Sequence, residues 1–303
     1  MKRLFTLIAA LGLVLAACGG SSSTAATVNG TEITAGDIDG LFYEVDEEFT
    51  DAQNAQYLGT LIQWAAIEQR ATTDLEFEPT PEETDAEIET ILFDSGYVGD
   101  LDGFLAAQNV SEDGMTMVAN QFLIEDAVIL AVTPTVETPT LEDAQATIDE
   151  NPLQFTEVCA SHILVETEDE ADAVIERLDA GEDFAVVATE VSIDTGTGPN
   201  GGSLDCSLAS VYAPEFAEAA VAAPIGEVTE PVETQFGYHI IVVESRTVAA
   251  TAEEVQVLME EQLVSAAASQ WLLEAITAAD VTVVAAYGTW ETEPSPQVVP
   301  PPA

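Results

Sequence analysis

The sequence of 303 residues is poor in basic side chains, with five lysines and arginines against 56 aspartates and glutamates and a formal net charge of −51. A surface of that sign repels phosphate backbones and anionic lipid headgroups, which argues against nucleic-acid binding and electrostatic docking to membranes. Hydrophobic residues still form 47% of the chain, unlike the composition of a disordered protein. The sequence therefore predicts a folded protein, and its acidity suggests a saline habitat in which salt screens self-repulsion.

Cysteine is also scarce, with three residues in the chain. The first ends a short apolar run in Leu15-Ala-Ala-Cys18 and precedes Gly19-Gly-Ser-Ser-Ser23, an order that resembles a bacterial lipoprotein signal. The run is too short for a stable membrane span. We therefore expect a signal peptide over 1–17, lipidation of Cys18, a flexible tether over 18–26 and a mature chain held by lipid at the outer face of the cell membrane. The alternative is an ordinary secreted protein with a chance cysteine at the cleavage site.

Histidine is scarcer still, since His162 and His239 are the only two. Each lies in a strand-like apolar run, 160–165 and 236–243. The segment between them contains Ser192-Ile-Asp194, the pair Gly201-Gly202 shortly before Leu204, and Pro214-Glu-Phe216. A single histidine in a strand is usually structural, but two in matching runs are candidates for chemistry.

This order of parts, over roughly 158 to 246, resembles the parvulin family of peptidyl-prolyl isomerases. The resemblance implies a domain that acts on X-Pro bonds of polypeptides without a metal or cofactor. By position, it implies a polar catalytic group formed by His162, Asp194 and His239. It also implies an apolar substrate-binding group formed by Leu204, Tyr212, Phe216 and Phe236.

These residue types suit rotation about an X-Pro bond. The barrier, roughly 18 to 20 kcal/mol, arises from lost amide resonance, and no bond needs to break. An apolar cup for the proline ring, with a polar rim for the rotating carbonyl, would favour the twisted amide over the planar one. Glu166 and Glu168 lie where phosphate-selecting parvulins carry a basic side chain, so we expect no preference for phosphorylated Ser/Thr-Pro.

Other interpretations of the same residues are weaker. Two histidines and a carboxylate could form a facial metal triad, but neither histidine lies in a dense cluster of ligands. Serine hydrolase activity is not indicated, because no Gly-x-Ser-x-Gly elbow accompanies either histidine. Cysteine catalysis is not indicated either. Cys159 precedes His162 by three residues in one strand, so their side chains are expected to point to opposite faces. Asp194 could also simply cap a turn, and Leu204 and Phe216 could be core residues.

Cys159 and Cys206 remain once Cys18 is lipidated. An exported chain with an even residual pair favours a disulfide, and the two residues fall in segments that are neighbours in the parvulin sheet. The alternative is a pair of buried free thiols.

The domain organisation follows from the flanking segments. Residues 27–154 are predicted to be mostly helical after an Asn29-Gly30 hairpin, and 250–288 to form a long helix and a strand that is available to pair with that hairpin. We expect these two segments to build one helical chaperone domain. The segment 155–249 would be inserted into it as a small antiparallel sheet with covering helices, and 289–303 would be a proline-rich tail without a core-forming pattern.

The predicted fold class is therefore α+β, in an arrangement that resembles extracytoplasmic foldases of the PrsA and SurA kind. The function implied by the resemblance is a membrane-anchored isomerase and chaperone for unfolded, newly exported polypeptides with X-Pro bonds. The alternative is a holding chaperone whose isomerase fold has lost activity. The sequence indicates neither the clients nor the oligomeric state.

Overall fold

The computed structural model of the protein describes residues 23–44 and 49–301. The chain folds into two compact units. The helical unit comprises the described residues up to Glu137 and from Gln262 onward, and the sheet unit comprises Thr138–Glu261. The predicted signal peptide and Cys18 lie outside the described residues.

The helices and strands alternate irregularly along the chain. The helices are α1 (Ala35–Asp39), α2 (Asp51–Asp74), α3 (Pro81–Ser95), α4 (Leu101–Gln108), α5 (Glu112–Val132), α6 (Leu141–Glu150), α7 (Pro152–Phe155), α8 (Glu168–Asp179), α9 (Phe184–Val191), α10 (Pro214–Ala222) and α11 (Ala252–Thr277). The strands are β1 (Thr24–Val28), β2 (Thr31–Thr34), β3 (Thr156–Val165), β4 (Ser203–Leu208), β5 (Val232–Thr234), β6 (Gly237–Val248), β7 (Val281–Val283), β8 (Thr289–Glu291) and β9 (Gln297–Val299).

The helical unit contains a three-stranded sheet in the order β2-β1-β7. Asn29 and Gly30, with φ of 48° and 85°, form the tight turn that joins β1 to β2. On the other edge of β1, Val28 pairs with Val281, so the predicted contact between the first hairpin and the late strand is confirmed.

The predicted tether over 18–26 is wrong at its C-terminal end. Strand β1 begins at Thr24, and Ala25 and Ala26 are buried. Their small side chains suggest a flexible linker by composition, but β1 is the central strand of the sheet and therefore lies in the core.

The predicted tail over 289–303 is also wrong for most of its length. Strands β8 and β9 form an antiparallel pair, and Val298 is buried against the cluster that contains Leu58 and Ile62 of α2. Gly59 of α2 lets the backbone of Val298 approach closely. The proline-rich composition of this segment did not indicate the contact with α2, because one valine side chain makes it.

Helix α5 is the central helix of the helical unit. The segment Glu112–Thr135 is long and apolar enough to cross a membrane by length and composition alone. However, its Met115 and Ala119 pack with α3 and α4, and its Ile124 and Val128 pack with α2 and α11. One face of α5 thus lies in the core of this unit.

The sheet unit has four strands in the order β4-β3-β6-β5, and every neighbouring pair is antiparallel. Helix α10 covers one face, where Phe216 and Ala220 pack against Val158 and Ile241. Helices α8 and α9 cover the other face. This is the predicted α+β arrangement of a small antiparallel sheet between helices.

The limits of the sheet unit are wider than the sheet itself. Helix α6 contributes Ala144 and Ile148, which pack with Val255 near the start of α11. The predicted domain limits, 155 and 249, both lie inside this unit.

Candidate active site

Two neighbouring strands bring the histidines together. His162 on β3 pairs with Ile241, and His239 on β6 pairs with Leu164, so the histidines are diagonal neighbours on one face of the sheet. Their Nδ1 atoms lie 3.0 Å apart, and their rings are nearly parallel with centroids 5.2 Å apart. Both side chains are buried.

A glycine makes room for the first histidine. The N–H of His162 donates to the carbonyl of Gly202 at 2.9 Å. Gly202 has a φ of 81°, and a Cβ at this position would overlap the carbonyl oxygen of His162. The second glycine of the pair is therefore required by close backbone approach and by the left-handed conformation.

Asp194, in the loop after α9, binds the far side of the His162 ring. Its Oδ2 lies 2.9 Å from Nε2 of His162 and accepts the hydroxyl of Thr197 at 2.5 Å, and its Oδ1 accepts the N–H of Gly196 at 2.9 Å. The hydrogen bond from Thr197 is the main cause that lowers the pKa of Asp194 to about 2, against the effect of burial. Asp194 is therefore a carboxylate at neutral pH.

The charge of Asp194 fixes one end of the hydrogen-bonded network. Because a carboxylate only accepts, Nε2 of His162 must carry a proton. With one proton on each ring, Nδ1 of His162 accepts from Nδ1–H of His239. Nε2 of His239 in turn accepts the hydroxyl of Thr234 at 2.9 Å. The hydrogen bonds run in one direction from Thr234 through both rings to Asp194.

His239 is neutral in this arrangement. Burial is the main cause that lowers its pKa to about 4, and the nearby His162 adds to that effect, while Asp194 opposes it. A neutral ring at position 239 has one donor and one acceptor, as the network requires.

Apolar side chains form a cup beside the two rings. Phe216 on α10 meets both histidines edge-on, with centroids 5.8 Å from His162 and 5.3 Å from His239. Tyr212 lies 5.0 Å from Phe216, and Leu204 packs on the same cluster. The cup thus lies directly against the hydrogen-bonded network.

The hydroxyl of Tyr212 is unusual. Among the side-chain polar atoms of residues 23–44 and 49–301, it is the buried one that has no hydrogen-bond partner. A buried hydroxyl without a partner destabilises the fold.

The structure brings together six of the seven residues that the resemblance assigns to catalysis and substrate binding. Phe236 instead lies in the turn between β5 and β6 and is 62% exposed. Its backbone N–H donates to the hydroxyl of Thr234 at 3.1 Å. Its predicted contact with substrate stays a prediction.

The sequence did not predict the roles of Thr197 and Thr234. Each is a threonine a few residues from a candidate catalytic side chain, three after Asp194 and five before His239. That spacing was visible in the sequence, but threonine is common in loops and only the fold shows that both hydroxyls reach the network.

Cys159 and Cys206 face each other across β3 and β4 and form a disulfide, in agreement with the prediction. Glu157 completes a group of metal-binding atom types with the two sulfurs within 4.8 Å. Disulfide sulfurs are not thiolates, the form of cysteine that binds metals, so this group does not fit a metal site.

The nitrogens of the two histidine rings already have partners in the described structure. They form hydrogen bonds with each other, with Asp194 and with Thr234.

Similarity to known proteins identifies the family of the chain. The domain family described as "Rotamase: PPIC-type PPIASE domain" matches residues 160–245, a range that includes both histidines. The foldase protein PrsA of Halalkalibacterium halodurans is 35% identical over 260 residues, which cover 81% of this chain and 74% of that protein. The chain belongs to the PrsA foldase family.

A PrsA of Clostridium botulinum strain Langeland is 36% identical over 256 residues, which cover 75% of this chain and 76% of that protein. The crystal structure of PrsA from Bacillus cereus aligns with a TM-score of 0.48 at 22% identity and covers 86% of this chain and 93% of that one. As a PrsA-family protein with a PPIC-type domain, the chain is a peptidyl-prolyl isomerase and assists protein folding.

Proposed function

We propose that the isomerase reaction takes place at the cup formed by Leu204, Tyr212 and Phe216 beside the pair His162 and His239. The observation that carries this proposal is the continuous hydrogen-bonded network from Thr234 to Asp194, which lies against an apolar cup. Proline is an apolar ring that suits such a cup.

The chemistry of the site follows from the electronic change in the amide. A planar amide carries partial negative charge on oxygen and partial positive charge on nitrogen, and twisting reduces both. A dry apolar site favours the less polar twisted form, and a rigid polar rim needs no reorganisation as the carbonyl rotates. The fixed carboxylate of Asp194 and the fixed tautomers of both histidines supply that rigidity.

We assign the holding of unfolded client polypeptides to the helical unit. The exposed apolar side chains around Leu130, which is itself 76% exposed, support this role. The clients would be newly exported polypeptides outside the cytoplasm.

A lipid on Cys18 is proposed to anchor the protein at the outer face of the cell membrane. The sequence Leu15-Ala-Ala-Cys18 with its glycine-serine continuation supports it. Since the net charge is −51, electrostatic attraction to anionic lipid would not serve as the anchor.

The proposal is tested by measuring isomerisation and client holding on the same variants. His239→Ala should slow isomerisation of a short X-Pro peptide in a protease-coupled assay. It should leave suppression of client aggregation unchanged, because holding is assigned to the other unit. Equal loss of both activities would contradict this division of labour.

A further inference from the structure

The helical unit contains an apolar groove with a volume of about 590 Å³. It lies between the chain that follows α2 and the C-terminal half of α5. Its main lining residues are Leu75, Phe77, Glu83, Leu123, Asp126 and Leu130. The groove is formed within one unit and is separate from the isomerase site.

The floor and the edge of the groove differ in burial. On α5, Ile124 and Val128 point inward and are fully buried, whereas Leu130 is 76% exposed at the groove. Leu75 and Phe77 are half-buried. Apolar side chains that remain this accessible around a concave surface are typical of an interaction site.

Acidic residues alternate in sequence with the two apolar lining residues that follow α2. In Asp74-Leu-Glu-Phe-Glu78 the two apolar residues are half-buried and the three acidic residues are exposed. The carboxylate of Glu83 is held in place by the N–H and hydroxyl of Thr80 at 2.9 and 2.7 Å. These hydrogen bonds lower the pKa of Glu83, so the groove wall carries a fixed negative charge at neutral pH.

Of these carboxylates, that of Asp74 is bound by an arginine. Arg70 is the only basic residue in the sequence of the described helical unit. It is bound to Asp74 and Glu274 and stacks on Trp271. Arg70 forms no ion pair with Glu76, Glu78 or Glu83, so these three carboxylates can meet a basic partner.

We propose that this groove binds an apolar segment of an unfolded polypeptide that is flanked by lysine or arginine residues. The inference rests on the proposed holding function and assigns it a site and a class of client. The apolar part of the segment would cover Leu130 and Phe77, and its basic flanks would lie near Glu83 and the acidic residues of 74–78. An anionic lipid surface fits less well, and a second copy of the chain would bring the same negative charge.

The test uses the chain from residue 19 onward, which contains every described residue, and two fluorescent peptides with the same apolar core. One peptide has lysine flanks and the other has glutamate flanks. Fluorescence anisotropy at low salt should show about tenfold tighter binding of the lysine peptide, and high salt should reduce the difference. Glu83→Gln should reduce the preference for lysine, because glutamine keeps the capping hydrogen bonds and loses the charge.

Leu130→Gln should weaken binding of the lysine peptide about tenfold through lost apolar contact. Phe93→Gln is the matched control, since Phe93 is an exposed apolar residue of the same unit that does not line the groove. It should leave the affinity unchanged. The isomerisation rate of both variants should equal that of the wild type and so report an intact fold.

Each contrary result has a distinct meaning. Equal weakening by the two variants, or equal affinity for the two peptides, would overturn the proposal. So would a Leu130→Gln effect confined to binding of anionic lipid vesicles or to self-association in sedimentation. Wild-type protein that binds neither peptide and does not suppress aggregation would instead remove the holding function itself.

Discussion

Nδ1 of His162 and Nδ1 of His239 lie 3.0 Å apart, so one ring must donate and the other accept. The carboxylate of Asp194 on the far side requires a proton at Nε2 of His162, so with one proton on each ring His162 accepts and His239 donates. The pair therefore has one favoured arrangement of protons. Titration or mutation of the pair should change the rate of isomerisation and the stability of the fold, and these two effects can be measured separately.

The pH dependence should follow His239. Its pKa is lowered to about 4, so the ring stays neutral throughout pH 6–8 and its titration should not change the isomerisation rate there. As pH falls toward 4, protonation of His239 places a second donor at its Nε2. This N–H would face the hydroxyl of Thr234 that donates to Nε2 in the neutral ring, so kcat/KM should fall. An NMR titration that finds His239 near the ordinary histidine value of about 6.5 would contradict this.

The same shift predicts a change in stability. Between roughly pH 6.5 and 4, the unfolded chain binds a proton at position 239 that the folded chain does not. The free energy of unfolding contributed by this group should therefore fall as pH decreases through that window. Urea unfolding of wild type and His239→Gln isolates the effect, and a difference between them that is independent of pH would count against it.

Thr197 should act as a positioning residue. Thr197→Val removes the hydroxyl that binds Asp194, and loss of a hydrogen bond to a charged group should lower kcat/KM by roughly tenfold or more. The pKa of Asp194, followed by carboxyl NMR, should rise toward that of an ordinary aspartate. Thr197→Ser should restore both, and Thr189→Val on the exposed face of α9 should change neither. A slow variant with an unchanged Asp194 pKa would contradict the assigned role.

Tyr212→Phe should make the protein more stable. The hydroxyl of Tyr212 is buried without a partner, and its removal should relieve about 1 kcal/mol or more of desolvation. The urea midpoint should rise, whereas Tyr43→Phe, which removes a hydroxyl from an exposed ring, should leave it unchanged. A loss of stability in Tyr212→Phe would show that the hydroxyl has a partner.

Cys18→Ser should abolish lipid attachment. The sulfur is the only group at that position that can carry a thioether-linked lipid, so the variant should leave the membrane fraction or stall in processing. Mass spectrometry of the N-terminal peptide and fractionation of cells provide the measurement. Unchanged retention with no lipid detected on the wild type would favour an ordinary secreted protein.

The sequence predicted the elements whose signals are local. The Asn29-Gly30 hairpin and the strands that hold His162 and His239 form as predicted. The histidine motif placed both rings on paired strands. These features depend on residues that are close in sequence or that belong to one family motif.

The features that the sequence did not predict depend on contacts through space. Thr197 and Thr234 matter because their hydroxyls reach the histidine network, and Val298 matters because Gly59 leaves room for it. Ala25 and Ala26 are in the core because strands pair on both sides of β1. Neither composition nor periodicity carries such information.

The central claim is that one polar network beside an apolar cup catalyses X-Pro rotation. The most direct test is kcat/KM for a short X-Pro peptide with wild type, Asp194→Asn and the control Asp179→Asn, an exposed aspartate of the same unit. We predict that Asp194→Asn lowers kcat/KM roughly ten- to hundredfold through loss of a charged hydrogen-bond acceptor, and that Asp179→Asn leaves it unchanged. Folded wild-type protein with no isomerisation above the uncatalysed rate, or an Asp194→Asn variant as fast as wild type, would contradict the account.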